Sequence, residues 1–420
     1  MRGAFSLKKK QSVYLIITCW LIYAVSYLGK MNYSANIAQI IDFYNVGKSE
    51  AGLPPTFFFF AYGVGQVVNG LLCKKYNVKW SIFSALLVSS AINLTVAVTD
   101  NFAIVKWLWL INGFALSVLW PVIVRFMSEN LHEDYLGKSS IVMGTPVAAG
   151  TLLVYLLSSI YAFFGNFKLS FYTASVAVII ISALWLISYK HIVRDRSDST
   201  DNTRAVSAVA AKLQVRHTNA QKHMLYISIC VLCFFAIGVN LIKEGLTTWV
   251  PSILKDEFQL TDALSILLTL LLPVFAIFAN FFALAMHRKV SDYVTQCFIC
   301  FAISALVIFG ITWGLSQKTV VVVLTGLLIV NFLASSLNSL ITSIFPVYMR
   351  DKVNSGMIAG IINGFCYLGS TVSAYGLGSI AEHFSWSGVF YTLIAVCLVC
   401  VVVWCGYFVI KKLNVRKAAV

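Results

Sequence analysis

Residues 191–222 read HIVRDRSDSTDNTRAVSAVAAKLQVRHTNAQK, a polar tract of mixed charge set between two long apolar regions. Six apolar segments precede it, near 12–41, 53–73, 79–99, 102–128, 138–164 and 168–190. Six more follow, near 223–254, 262–286, 291–315, 319–346, 353–381 and 386–411. Each is long enough to cross a hydrocarbon layer roughly 30 Å thick as a helix. None alternates with period two as a barrel strand would, and inside hydrocarbon the backbone must be satisfied within helices or a closed barrel. The expected fold is an all-α membrane protein of twelve transmembrane helices in two pseudo-symmetric six-helix bundles. The bundles are expected at 1–190 and 223–420, with 191–222 as a cytoplasmic linker. A short amphipathic helix is expected on the membrane surface around 205–215.

Composition agrees with that solvent. Of 420 residues, 59% are hydrophobic and only 11% charged, and mean hydropathy is +0.84; a soluble domain carries about 25% charged residues. Lys8, Lys9 and Lys10 precede an apolar run that lacks a small-residue cleavage site, so it reads as a retained first helix rather than a signal peptide. The formal charge of +15 invites a nucleic-acid reading, which its placement excludes. With the N-terminus in the cytoplasm, the inside loops hold Arg2, Lys8 to Lys10, Lys74, Lys75, Lys79, Arg125, Lys138, the linker's basic residues, Arg288, Lys289, Arg350, Lys352 and the basic C-terminal tail. The outside loops keep Lys48, Lys106, Lys168, Lys255 and Lys318. That is the positive-inside pattern, and an even number of spans returns the C-terminus to the cytoplasm. The lipid bilayer is the implied partner, with the cell inner membrane as the location. Cys230/Cys233, Cys297/Cys300 and Cys397/Cys400 have metal-like spacing, but they lie in apolar helical runs without histidine at ligand spacing. No metal, cofactor or enzymatic chemistry is expected.

Ionisable groups inside spans are costly and are functional candidates by default. The first six spans contain no Asp or Glu, and Glu244 alone lies well within a span of the second six. Lys30 and Lys243 occupy corresponding places, each late in the first helix of its half and followed by polar helical sequence. On a helix Lys30 shares a face with Tyr23, Tyr27 and Tyr33, and Lys243 with Asn240 and Thr247. A wet, aromatic stripe around a cation suits an anion-binding cavity; the competing reading is a lysine that snorkels to the interface. Glu244 directs its side chain about 100° from Lys243, and serves proton coupling, pairing with a lysine, or contact with a neighbouring helix. Gln66, Trp120 and Tyr367 are further mid-helix candidates for substrate contact. The Gly63, Gly65, Gly70 and Gly356, Gly360, Gly364, Gly369 faces suit close helix crossing.

These residues resemble a family. YLGKMNY at 27–33, AYGVGQ at 61–66, WPVIVR at 120–125, LIKEGLTTWVPSIL at 241–254, GFCYLG at 364–369 and WSGVF at 386–390 are similar to major facilitator transporters. Within them the chain resembles the organophosphate:phosphate antiporters, whose familiar member is the glycerol-3-phosphate transporter. The resemblance implies a monomer that works by alternating access. It also implies substrate phosphate bound by one basic residue on the first helix and another on the seventh, positions that fall on Lys30 and Lys243. The family's residue is arginine at both; lysine keeps the charge and loses the planar two-pronged donor. The second-helix lysine of phosphoglycerol carriers is Gln66 here, their fifth-helix histidine has no counterpart around 145–149, and lysines 74 and 75 stand where the superfamily has an aspartate.

The expected function is secondary active transport of a small organic anion, whether sugar phosphate, sulfonate or carboxylate, with anion exchange as its mode. One alternative is proton-coupled anion symport through Glu244. Another, from a different class, is a transport-like membrane sensor or receptor, because the family includes receptors.

Overall fold

The structure is a computed structural model that describes residues 9–197, 219–348 and 355–418. The amphipathic helix expected at 205–215 lies outside those residues. Among them every regular element is helical. Eleven helices are long and apolar enough to cross a membrane. The last, Ile358–Leu413, leaves helical geometry at Phe384 and at Ser385, whose φ is 64°, so it divides in two and brings the number of crossings to twelve.

The first crossing comprises α1 (Lys9–Ser26), α2 (Leu28–Ala35) and α3 (Ile37–Tyr44), with irregular joints at Tyr27 and Asn36. A short α4 (Lys48–Ala51) leads into α5 (Leu53–Leu72), and α6 (Val78–Val98) follows. The fourth crossing breaks into α7 (Phe102–Leu116) and α8 (Leu119–Asn130). Pro121 explains the break: it has no N–H to offer the Ser117 carbonyl, and its ring clashes with that carbonyl. Next come α9 (Glu133–Val142), α10 (Pro146–Phe163) and α11 (Lys168–Ser197). The fifth crossing therefore begins at Pro146, with a separate helix before it, because proline is tolerated in a helix's first turn and not in its interior.

After the linker come α12 (Asn219–Phe258), α13 (Asp262–Thr269), α14 (Leu271–Lys289), α15 (Tyr293–Ser316) and α16 (Val320–Ser339). Pro273 breaks α13 from α14 as Pro121 breaks α7 from α8. A π-helical turn, Leu340–Ile344, joins α16 to α17 (Phe345–Tyr348), and α18 (Ser355–Ala418) carries the last two crossings.

The chain divides into two compact units, one of residues 1–39 and 57–212, the other of residues 40–56 and 213–420. In the first, α11 packs along α6, and α1 and α2 lie against α10 and α11. Its centre is aromatic: Tyr33 meets Trp109 at 5.4 Å between ring centroids, and Trp109 meets Phe171 at 5.8 Å. Backbones approach closely where glycine allows it. A Cβ on Gly65 would collide with Ser117, one on Gly113 with the Phe58 carbonyl, and one on Gly150 with the Ala24 carbonyl. On the loop after α5, Arg125 donates to the carbonyls of Cys73 and Tyr76 and pairs with Glu129 at 2.8 Å. Backbone carbonyls thus hold that arginine at the loop that carries Lys74 and Lys75.

In the second unit α18 packs along α12 and α15, and a Cβ on Gly369 would strike the Ile237 carbonyl. Gly70, Gly360 and Gly364 face open space instead, so the glycine-rich faces serve close crossing only at some of their positions. Segment 40–56 belongs to this unit and is fastened along it. Thr56 Oγ1 donates to the Thr371 carbonyl at 3.1 Å and accepts from the Tyr375 N–H at 3.0 Å. Ser49 donates to Glu382 Oε2 from its N–H at 2.7 Å and from its hydroxyl at 2.6 Å. Lys48 pairs with Asp256 at 3.0 Å, and that carboxylate also accepts the Trp386 indole N–H at 3.0 Å. Lys255 bridges Asp42 and Asp262. A Cβ on Gly52 would stand 2.5 Å from the Ala374 carbonyl, so the segment lies flat on the helix beneath it.

Candidate functional site

Lys30 sits on α2, a two-turn piece of helix whose register is held from outside. Asn112 Nδ2 donates to the Gly29 carbonyl at 2.8 Å, and Asn93 Nδ2 donates to the same carbonyl at 3.2 Å. Asn32 Nδ2 closes the network by donating to Asn93 Oδ1 at 2.8 Å. All three asparagines are buried. Buried amides in hydrocarbon hold their partners because the alternative is an unsatisfied dipole. Gly29 is part of the fit, since a Cβ there would fall 2.9 Å from Asn93 Nδ2 and from Ser89 Oγ.

The result is a lysine at 8% exposure surrounded by ring faces. Its Nζ lies 4.5 Å from the Tyr62 centroid, 4.8 Å from Tyr27, 5.6 Å from Phe58 and 6.0 Å from Phe59. The negative faces of these rings stabilise an ammonium by about 0.5–2 kcal/mol each, more as water is excluded. Lys30 is therefore a buried side chain in an aromatic setting. The aromatic surface continues from Tyr27 to Tyr23 at 5.7 Å and from Tyr23 to Trp120 at 4.9 Å. Of the residues expected on the face of Lys30, Tyr27 joins the cage directly, and Trp120, a separate candidate, meets it through Tyr23. Tyr33, 1% exposed, packs on Trp109 in the unit's core. Gln66 Nε2 donates to the Ser117 carbonyl at 3.4 Å, the carbonyl that Pro121 deprives of its helical donor. That contact makes Gln66 a support for the break in the fourth crossing.

In the second unit Lys243 Nζ lies 2.6 Å from Glu244 Oε1, with side chains 24% and 12% exposed. Adjacent residues diverge by about 100° on a helix, yet the lysine's four-carbon stem reaches round to its neighbour. Asn240 Nδ2 donates to Asn338 Oδ1 at 3.1 Å and to the Ala236 carbonyl at 3.1 Å. Asn338 stands two residues before the π-helical turn, a local rewinding of the kind that marks functional positions, and its Oδ1 also accepts from Cys366 Sγ at 3.8 Å. Tyr367, half-buried, follows Cys366 on α18. Asn93, Asn112 and Asn338 carry no mark in the sequence around them, and the ring contacts of Phe58, Phe59 and Tyr62 with Lys30 were not anticipated from it. The FFFFAY run at 57–62 was the available signal for the rings.

Comparison with known proteins places these units in a lineage. The membrane sensor protein UhpC of Salmonella typhimurium is 20% identical over 405 residues, covering 91% of this chain and 88% of that one. A probable hexose phosphate transport protein of Chlamydia trachomatis is 18% identical and covers 98% of this chain and 95% of its own. Among solved structures, a bacterial homolog of the human lysosomal transporter Spinster, inward-facing and unoccupied, superimposes with a TM-score of 0.77 at 12% identity. That likeness spans 98% of this chain and 99% of that one. At such identity it speaks for the fold alone. The Major Facilitator Superfamily matches residues 19–374, and the chain belongs to that superfamily.

Proposed function

We propose that the protein is a secondary active transporter of a small organic anion, working by alternating access. The observation that carries this reading is Lys30, an ammonium at 8% exposure within a membrane helix, wrapped by Tyr27, Tyr62, Phe58 and Phe59. A charge in that position is costly, and its ready use is to attract a charge of opposite sign from water. The superfamily assignment supports transport, and the hexose phosphate carrier among the relatives supports an anionic, hydroxylated substrate. Lys30 and Lys243 are the basic positions assigned to substrate by the family resemblance, with Trp120, Asn240 and Tyr367 as companion contacts. Exchange is favoured over symport because the first six spans hold no carboxylate to carry a proton. The protein acts as a monomer in the inner (plasma) membrane, with both termini in the cytoplasm.

Proton-coupled symport is the second reading, and the Lys243–Glu244 pair at 2.6 Å is what favours it: protonating Glu244 releases a cation. A sensor role is supported by the relative of that name. Proteoliposomes separate the three. Exchange gives uptake driven by internal anion and indifferent to a pH gradient; symport gives uptake that collapses with the pH gradient and with Glu244→Gln. A sensor binds anion and transports next to none.

A further inference from the structure

We propose that the adjoining ends of α14, α15 and α18 in the second unit bind the headgroup of an anionic phospholipid. Asp292 fixes the place. It caps α15, accepting from the Thr295 N–H at 3.2 Å and from the Thr295 hydroxyl. The same carboxylate accepts the Tyr407 hydroxyl at 3.2 Å and pairs with Lys411 at 3.3 Å, both from the end of α18. The Trp404 indole N–H donates to Thr295 Oγ1 at 3.2 Å. Helix α14 ends at Lys289, three residues before Asp292, a length of chain that spans at most about 11 Å. That turn is folded on itself: His287 stacks on Tyr293 at 4.5 Å between centroids, and Gln296 Nε2 meets His287 Nδ1 at 2.9 Å. Arg288, Lys289, Lys411 and Lys412 are thereby gathered at one end of the unit, and Arg288, Lys289 and Lys412 are exposed.

What adjoins those cations makes the ligand an amphiphile. On α14, Phe281 and Phe282 stand seven residues before Arg288 and Lys289, two turns away on the same helix face. Both rings are exposed, Phe281 at 70%. On α18, Phe408 precedes Lys412 by one turn and is 48% exposed. It stacks on Trp404 at 5.2 Å, and Trp404 stacks on Phe298 of α15 at 3.8 Å. Each helix thus presents exposed rings along an apolar crossing and cations at its end. A water-soluble anion would use the cations and leave the rings bare; an apolar molecule would do the reverse. A phospholipid uses both, its phosphodiester against the cations and its acyl chains along the rings. Basic pockets between membrane helices take anionic headgroups in this way, and aromatic rings favour the headgroup level. Asp292 holds Lys411 in place beforehand, so that side chain loses little freedom when the headgroup arrives. The site lies wholly within the second unit and needs no cargo.

The test uses the full chain in neutral detergent micelles, titrated with phosphatidylglycerol or with phosphatidylcholine of the same acyl chains, with bound lipid counted by native mass spectrometry. Wild type is expected to bind phosphatidylglycerol about tenfold more tightly than phosphatidylcholine. Replacing the exposed cations together, as Arg288→Gln, Lys289→Gln and Lys412→Gln, should erase that preference. A second triple variant, Lys74→Gln, Lys75→Gln and Lys79→Gln, removes the same charge from the loop after α5 in the first unit and should keep the preference. Inorganic phosphate in millimolar excess should leave the bound lipid in place, because it offers the rings nothing. The inference is overturned by wild type binding the two lipids alike, or by a preference that survives the first triple variant. Equal loss in both triple variants would overturn it too, since diffuse charge would then account for the binding. Displacement by inorganic phosphate would make this a site for a free anion and not for a lipid.

Discussion

A primary ammonium in the middle of a membrane helix has to be stabilised by whatever the fold places around it. At Lys30 the fold places ring faces, two of them from tyrosines. Lys30→Gln is accordingly expected to lower anion transport by more than a hundredfold, and Lys30→Arg to restore part of it, because the planar guanidinium keeps the charge and stacks on rings. Replacing one ring, as in Tyr62→Leu, removes about 1 kcal/mol of cation stabilisation; KM should rise about fivefold. A Lys30→Gln variant that transports normally would return this residue to a structural role. Much of this was legible in advance. Lys30 and Lys243 stand out because a charge inside a span is rare, and rarity is visible in one dimension. The pairing of Lys243 with Glu244 was less so: helical geometry sends neighbours apart, and only the reach of a flexible stem brings these two together.

At the scale of elements, positioning depends on partners from distant helices. The Gly29 carbonyl is held by Asn93 from α6 and Asn112 from α7, and no pattern around residues 93 or 112 announces it. Asn93→Leu removes the bonds to Asn32 and Gly29 and strands a buried amide. It should cost about 1–2 kcal/mol, seen as a drop of several degrees in melting temperature together with slowed transport. A stability change without any effect on transport would separate the network from Lys30. Segment 40–56 is a second case. Its fastening to residues 255–262 and 371–386 joins parts of the chain some two to three hundred positions apart, where sequence alone gives no register. Glu382→Ala removes both bonds from Ser49, worth about 1–2 kcal/mol to the local structure. Amide exchange across α4 should accelerate by about tenfold while the rest of the second unit keeps its protection. Unchanged exchange there would mean that the packing of Gly52 on Ala374, rather than the Glu382 contact, holds the segment. The breaks at Ser117 and Leu270 were readable, by contrast, since Pro121 and Pro273 write them locally.

At the scale of the whole molecule, the polar tract at 191–222 and the twelve apolar stretches around it specify a membrane protein because hydrocarbon accepts so few solutions. The superfamily match follows from the same pattern. What the pattern leaves open is the cargo. Lys30 is the residue proposed to carry a small organic anion through this protein. The most direct test is uptake of labelled glucuronate and glucose 6-phosphate into anion-loaded proteoliposomes, with wild type and Lys30→Gln in parallel. Uptake by wild type is expected to depend on internal anion, and uptake by Lys30→Gln to stay within twofold of empty liposomes. Equal uptake by the two proteins would contradict it and place the anion elsewhere in the fold.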